Sequence, residues 1–151
     1  MINPLSMTRA DGKQLVEGEP DLSLLLGDWV NSNSETDYIS KITVAGRNNR
    51  LVVHVYGAHS PELIDWGEAE ATAYVIGGTR EGVGFHARYC FGEIETYLAA
   101  NQKLGILVIQ SYTSFKDASG RMNHFSREFF HQQVSPHRDH LNREAYGQSG
   151  I

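Results

Sequence analysis

The chain has 151 residues, of which 13 are basic and 18 are acidic, so its net charge is −5. This length fits a single domain that buries enough surface to fold without disulfide bonds. The single cysteine, Cys90, excludes a disulfide framework and a zinc knuckle. No apolar stretch is long enough for a membrane-spanning helix, and the acidic charge balance argues against a nucleic-acid-binding surface.

The N-terminal residues indicate the cellular compartment of the protein. Residues 1–20 are polar and charged and contain no apolar segment of a secretory signal, so we expect a cytoplasmic protein in a reducing environment. No motif indicates a metal ion or a cofactor. The expected partners are a small molecule and a further copy of the chain, and neither a nucleic acid nor a membrane.

Composition divides the chain into three parts. Residues 1–19 contain Asn-Pro and Asp-Gly turns with little periodicity, which predicts a flexible arm. Residues 134–151 are polar and predict a flexible tail. In this tail His137 and His140 have the spacing of helical metal ligands, but no third ligand is near, so we interpret them as solvated. The body, 20–133, is predicted to be one β-barrel domain.

Most of residues 20–133 show the alternation of apolar and polar residues that is typical of β-strands. Residues 20–26 are predicted to form a short helical turn, with Asp21 as its cap and Gly27 as its end. Alternating segments follow, separated by turn compositions such as Asn48-Asn49. The predicted strands are 28–33, 37–45, 50–57, 66–76, 82–91, 93–100, 104–115 and 122–132.

About eight consecutive strands joined by short turns predict an all-β fold, an antiparallel meander. An open meander leaves two unpaired edges, and closure at about eight strands removes them. We therefore predict an up-and-down β-barrel whose interior holds side chains or one small ligand. A two-layer sandwich is the alternative, and the short connections favour the barrel.

Alternation assigns the inner faces of the middle strands, because successive side chains point to opposite faces. In 82–91 the apolar face, which includes Phe85 and Tyr89, is expected to point inward. In 66–76 the inner face is predicted to be the row of alanines, because the opposite face carries glutamates that need water. Trp66 falls on that outer face.

The predicted strand 104–115 is apolar on both faces, so both are expected to be covered. We take the odd-numbered face, with Ser111 and Thr113, as the inner one; the opposite register would place Gln110 and Tyr112 inside. The outer face would then meet a partner subunit, which predicts a homo-oligomer, most simply a dimer.

The last predicted strand places Phe125, Arg127 and Phe129 on one face, which we take as the inner one. A guanidinium inside a barrel must pair with an acidic side chain, stack on an aromatic ring or bind an anionic ligand. Three interpretations stay open: Arg127 stacks on Trp29 at the closed end, Arg127 contacts a ligand, or the two faces of this strand are reversed.

One segment resembles a known group of barrels. Residues 27–31 read Gly-Asp-Trp-Val-Asn, which resembles the Gly-x-Trp opening of lipocalins and the Gly-x-Trp-x-Asn opening of avidins, both calycin-type small β-barrels. The resemblance implies that the indole of Trp29 plugs the narrow end, with Arg121 or Arg127 packed over it. The late tryptophans of avidins are absent, so the resemblance does not imply biotin.

The chemistry that remains is that of a small-molecule site. The sequence has no nucleophile motif and no phosphate-binding loop, and Cys90 falls on an outer face. An aromatic interior with a few polar groups is typical of ligand pockets. The expected ligand-binding residues are Phe85, Tyr89, Ser111, Thr113, Phe125, Arg127 and Phe129.

Three functions are compatible with such an interior. The first is a lipocalin-like barrel that binds a small apolar or aromatic molecule, oriented by Tyr89, Thr113 and Arg127. The second is a cofactor-independent cyclase or isomerase in the same pocket, with Arg127 and Tyr89 as catalytic residues that polarise a carbonyl. The third is an interaction module whose barrel is filled by its own side chains.

Overall fold

The computed structural model describes residues 17–133. Most of the predicted arm lies outside the described residues, and so does the whole predicted tail, with His137 and His140.

Eight antiparallel strands form a closed barrel. Each strand pairs with the next along the chain, and the last pairs with the first. This topology confirms the predicted up-and-down barrel and excludes the sandwich. The strands are β1 (Gly27–Asn31), β2 (Ile39–Arg47), β3 (Arg50–Gly57), β4 (Ile64–Val75), β5 (Gly82–Phe91), β6 (Ile94–Lys103), β7 (Ile106–Phe115) and β8 (His124–Gln132).

The segment before β1 is a hydrogen-bonded turn without helix, so the predicted short helical turn is not confirmed. The backbone N–H of Leu25 donates to the carbonyl of Leu22 at 2.9 Å, and Asp21 accepts a hydrogen bond from the N–H of Ser23 at 3.0 Å. A helix starting at Asp21 would need its carbonyl, but this carbonyl accepts from Gly82 N–H at 2.8 Å. No helix long and apolar enough to span a membrane occurs within residues 17–133.

The barrel has a closed end and an open end. At the closed end Leu25 and Trp29 are buried, and the indole Nε1 of Trp29 donates to the carbonyl of Leu25 at 2.9 Å. The open end, which we call the mouth, is where β2, β4, β6 and β8 begin. The loops at the mouth are 32–38, 58–63, 92–93 and 116–123.

The pairing of β1 with β8, which we call the seam, is short. Only Trp29, Val30 and Asn31 have partners on β8. Two further backbone bonds flank them, from Ser32 N–H to the carbonyl of Phe129 and from Gln133 N–H to the carbonyl of Asp28, both at 2.8 Å. Beyond Ser32 β1 has ended, whereas β8 continues to the mouth. The loop 32–38 therefore covers the upper part of the seam.

The interior has two different walls. Inward side chains of β2, β3 and the middle of β5 are apolar and form most of the core, with the alanine row of β4 beside them as predicted. The opposite wall, built from β6, β7, β8 and β1, carries buried polar side chains. Those that are less than a tenth exposed are Asn31, Thr96, Ser111 and Thr113.

Candidate ligand cavity at the barrel mouth

A cavity of about 480 Å³ lies at the mouth and opens to solvent. Its lining is mostly aromatic and aliphatic, with two threonine hydroxyls, one histidine and one carboxylate. The lining residues are Tyr38, Ile64, Asp65, Trp66, Phe91, Ile94, Thr96, Thr113, Phe115 and His124. We call this space the mouth cavity.

Trp66 enters the cavity because β4 contains a bulge. His54 of β3 pairs with Glu68, whereas Tyr56 pairs with Asp65, so β4 has one extra residue in this interval. Gly67 adopts a φ of +83°, a conformation that glycine reaches at little cost. The predicted outward position of Trp66 is therefore wrong. The glycine that follows the tryptophan inside a strand is the sequence signal for such a bulge.

The indole of Trp66 is held by edge-to-face contacts. Its ring centroid lies 5.5 Å from that of Tyr38 and 5.6 Å from those of Tyr89 and Phe91. The hydroxyl of Tyr89 donates to the carbonyl of Gly67 at 2.8 Å, which fastens the bulge from inside. Burial raises the pKa of Tyr89 to about 12, so this hydroxyl stays a donor at neutral pH.

Asp65 fixes the same bulge from outside. Its Oδ1 lies 2.5 Å from Nε2 of His54 and accepts a hydrogen bond from the N–H of Gly67 at 2.7 Å. Both hydrogen bonds lower the pKa of Asp65 below its usual value, and the bond with His54 has the larger effect. A charged carboxylate is therefore held at the rim of the cavity.

Hydroxyl groups form the floor of the cavity. The hydroxyl of Tyr38 lies 3.2 Å from Oγ1 of Thr113, which lies 3.0 Å from Oγ1 of Thr96. Each hydroxyl can donate or accept, so the chain of bonds can reorient toward a ligand. The prediction that the odd-numbered face of β7 points inward is confirmed by the burial of Ser111 and Thr113.

The predicted inner face of β8 is wrong. Cross-strand partners share a face, and the inward residues of β7 pair with His124, Ser126, Glu128 and Phe130. Phe125, Arg127 and Phe129 consequently point outward; the two phenylalanines are 55% and 51% exposed. Phe130 is fully buried instead and supplies the apolar contact that decides the face of this strand.

Glu128, which sequence reasoning left on the outer face, lies inside the barrel beside the seam. Its Oε2 accepts hydrogen bonds of 2.5 Å from Nδ2 of Asn31 and from Oγ1 of Thr36. Its Oε1 and the hydroxyl of Ser126 are buried and have no hydrogen-bond partner among the described residues. Both donors to Glu128 lie more than 90 residues earlier in the chain, so no local pattern predicts these contacts.

The two candidate arginines do not reach Trp29. Arg127 lies outside, opposite Gln110 of β7. The guanidinium of Arg121 stacks over Phe115, 4.2 Å from the ring centroid, and its Nη2 lies 2.8 Å from Oδ2 of Asp117. The arginine that the lipocalin resemblance implies over Trp29 is therefore not provided by either residue.

The remaining predicted ligand-binding residues lie at different depths in the barrel. Thr113 lines the mouth cavity, and Tyr89 packs behind Trp66. Ser111 lies below the floor, and Phe85 belongs to the core near the closed end. The cavity residues outside the expected ligand-binding set lie in the loop before β2, among the first three residues of a strand or at the last residue of a strand. They are Tyr38, Ile64, Asp65, Trp66, Phe91, Ile94, Thr96, Phe115 and His124.

A second cleft, of about 410 Å³, follows the upper seam. It lies where β8 has no strand partner on the β1 side. The lining residues are Asn31, Ser32, Asn33, Arg127, Glu128 and Phe129. Glu128 therefore stands between this outer cleft and the interior.

No protein-family model matches the chain, and neither a curated protein nor a solved structure is significantly similar to it. The class that the structure defines is a closed eight-stranded antiparallel barrel with an aromatic cavity at its mouth. This architecture is compatible with the lipocalin-like fold that residues 27–31 resemble.

Proposed function

We propose that the protein binds a small molecule with an apolar or aromatic body in the mouth cavity. The observation that carries this proposal is the lining of the cavity, which combines several aromatic rings with a few hydroxyl groups at one end. Burial of apolar surface supplies about 25 cal/mol per Å², and a few polar groups then fix orientation.

The geometry favours a flat ligand body. Trp66, Tyr38 and Phe91 meet edge to face, with interplanar angles of 72° and 79° about Trp66. Such mutually perpendicular rings form walls against which a flat ring can pack. The hydroxyls of Thr96 and Thr113 then meet the end of the ligand that points into the barrel.

A fluorescent probe tests this proposal. N-phenyl-1-naphthylamine, which is neutral and apolar, should become fluorescent on binding the full-length protein. The substitution Ile94→Trp adds bulk at the mouth and should weaken binding by about tenfold or more, because the ring occupies probe space. The matched control Ile76→Trp, at an exposed position beyond the closed end, should leave binding unchanged. Equal effects of the two substitutions would contradict the proposal.

The natural ligand is sought by native mass spectrometry of freshly purified protein, followed by release of small molecules on denaturation. A stoichiometric extra mass supports the binding function and identifies the ligand class. Conversion of the recovered compound on return to the protein would instead support a cyclase or isomerase. A bare mass, together with failure of the probe to bind, would support an interaction module with a filled barrel.

A further inference from the structure

His124 is the histidine of the mouth cavity, and its imidazole has no hydrogen-bond partner within residues 17–133. Each of the other four histidines of this range has a partner for a ring nitrogen. The ring of His124 instead packs against Tyr38 and Phe115, with ring centroids 6.3 Å and 5.6 Å away. A neutral imidazole without a partner keeps one nitrogen lone pair that can take a proton from a ligand.

The hydroxyl chain of the cavity floor, formed by Tyr38, Thr113 and Thr96, has the opposite property and carries a spare proton. Each residue contributes one O–H, but only two hydrogen bonds join the three oxygens. Whichever way these bonds run, one O–H is left without an acceptor in the described part of the chain. It can therefore donate to a ligand oxygen, and the neighbouring bonds strengthen it when that oxygen gains negative charge.

The free base and the spare donor lie side by side. His124 and Thr113 are cross-strand partners on the inner face of β8 and β7, so their side chains begin about 5 Å apart. Tyr38 contacts both, because its ring meets that of His124 and its hydroxyl lies 3.2 Å from Oγ1 of Thr113. All three residues line the mouth cavity. A single small ligand can therefore meet the base and the donor at the same time.

The other ionisable groups near the cavity are less suited to take a proton from carbon. Oδ1 of Asp65 is already engaged in two hydrogen bonds, chiefly the one with His54, which lower the pKa of this carboxyl and make it a weaker base. Of the two predicted catalytic residues, Arg127 points outward and the hydroxyl of Tyr89 donates to a backbone carbonyl. His124 is the other base of the lining.

We propose that the mouth cavity catalyses enolisation of a carbonyl compound, with His124 as the general base. The imidazole takes a proton from the carbon next to the carbonyl, and the electron pair of the broken C–H bond forms a C=C bond. The carbonyl π electrons move to the oxygen, which accepts the spare O–H of the hydroxyl chain. Return of the proton to the same carbon regenerates the ketone, and its return to a conjugated carbon gives an isomer. This activity rests on the proposed function, because its substrate is the apolar ligand of the cavity.

Hydrogen–deuterium exchange of 2-tetralone tests this activity. This bicyclic ketone has an apolar body and protons next to its carbonyl, and the loss of their NMR signals in D₂O gives the enolisation rate. For the full-length protein we expect a kcat about 100-fold or more above the rate constant in buffer alone, with saturation at high ketone concentration. N-phenyl-1-naphthylamine should inhibit the exchange, because it occupies the same cavity.

The substitution His124→Gln identifies the base, because glutamine forms hydrogen bonds but does not take up a proton at neutral pH. This variant should lower kcat by about 100-fold, with a much smaller change in KM, and should lose the rise of the rate with pH that accompanies deprotonation of a histidine. Thr113→Val, which interrupts the hydroxyl chain, should lower kcat by about tenfold or more. His86→Gln, on the outer face of β5, is the matched control and should retain the activity.

Different failures have different meanings. If exchange proceeds at the buffer rate while the probe still binds, the enolisation proposal is wrong and the binding function stands. If His124→Gln and the unaltered protein have equal kcat, His124 is not the base. If the probe itself does not bind, the proposed function fails first. Should His124→Gln not fold, His124→Ala with added imidazole replaces it, and a rate that imidazole does not restore would overturn the assignment.

Discussion

The indole Nε1 of Trp66 occupies the space where a side chain on Gly57 would begin. A Cβ on Gly57 would lie 2.8 Å from this nitrogen, which is closer than non-bonded carbon and nitrogen atoms come in folded proteins. Gly57 ends β3 at the mouth, directly opposite Ile64 of β4. The absence of a side chain at one residue thus positions the main aromatic wall of the cavity.

Gly57→Ala should push the indole of Trp66 away from β3 and into the cavity. We expect weaker probe binding, by about tenfold, because the displaced ring takes up ligand space. Near-UV circular dichroism should change, since Trp66 is one of only two tryptophans. Gly46→Ala is the control, because a Cβ there meets its nearest atom at an ordinary 3.9 Å. Equal binding by both variants would show that Trp66 does not form the wall.

The buried hydroxyl of Tyr89 should make stability depend on alkaline pH. Its pKa is raised from 10.0 to about 12 by burial, so the folded state binds this proton more tightly than the unfolded state. The resulting contribution, on the order of 2–3 kcal/mol, is present in full below pH 10 and is lost as the pH rises through 12.

Urea unfolding at several alkaline pH values measures this effect. Tyr89→Phe cannot ionise, so its unfolding free energy should fall less steeply between pH 10 and 12 than that of the unaltered protein. At neutral pH the same variant should lose about 1 kcal/mol, the net value of the bond to Gly67. Parallel curves for the two proteins would mean that the phenol is hydrated.

Asn31 should be essential to closure of the seam. The Asn31 amide donates to the carbonyl of Ile39 at 2.8 Å and to Glu128 at 2.5 Å, while its oxygen accepts from Asn33 N–H. Asn31→Ala leaves these buried groups without partners, and the unfolding free energy should fall by about 2–4 kcal/mol. Asn33→Ala, an exposed position, should cost about 1 kcal/mol or less. Equal losses in chemical denaturation would contradict this role.

The outer face of β7 and β8 should mediate a dimer, as the sequence leads us to expect. Ile106, Tyr112, Phe125 and Phe129 are each about half exposed there, on the two sides of the polar pair Gln110 and Arg127. Light scattering with size-exclusion chromatography should give a dimer mass, and Phe129→Ser should weaken association by about tenfold or more. Met122→Ser, at an exposed loop position, is the control. A monomer for the unaltered protein would refute the expectation.

Local sequence patterns were sufficient for the strands and for several of their faces. Each strand end lies within three residues of its predicted position. In β5 the alternation of apolar and polar residues is clear, and Phe85 and Tyr89 point inward as predicted. These features follow from nearest neighbours along the chain, because strand period and turn composition are local properties.

The β8 strand shows where local reasoning fails. Both of its faces carry phenylalanine, so alternation alone gives no preference between Phe125 with Phe129 and the single Phe130. Pairing with β7 decides the question, since Leu107 opposite Phe130 is fully buried. The cost of an inward Glu128 is reduced by Asn31 and Thr36, which reach it only after the barrel has closed.

Local patterns along the chain were therefore enough to predict the number of strands, their antiparallel order, the alanine row of β4 and the inward face of β5. The site depends on tertiary contacts: the bulge that turns Trp66 inward, the glycine that makes room for it, and the carboxylate of Glu128 inside the barrel. The physical reason is that strand formation depends on neighbouring residues, whereas a closed sheet fixes register and burial through contacts between residues far apart in the chain.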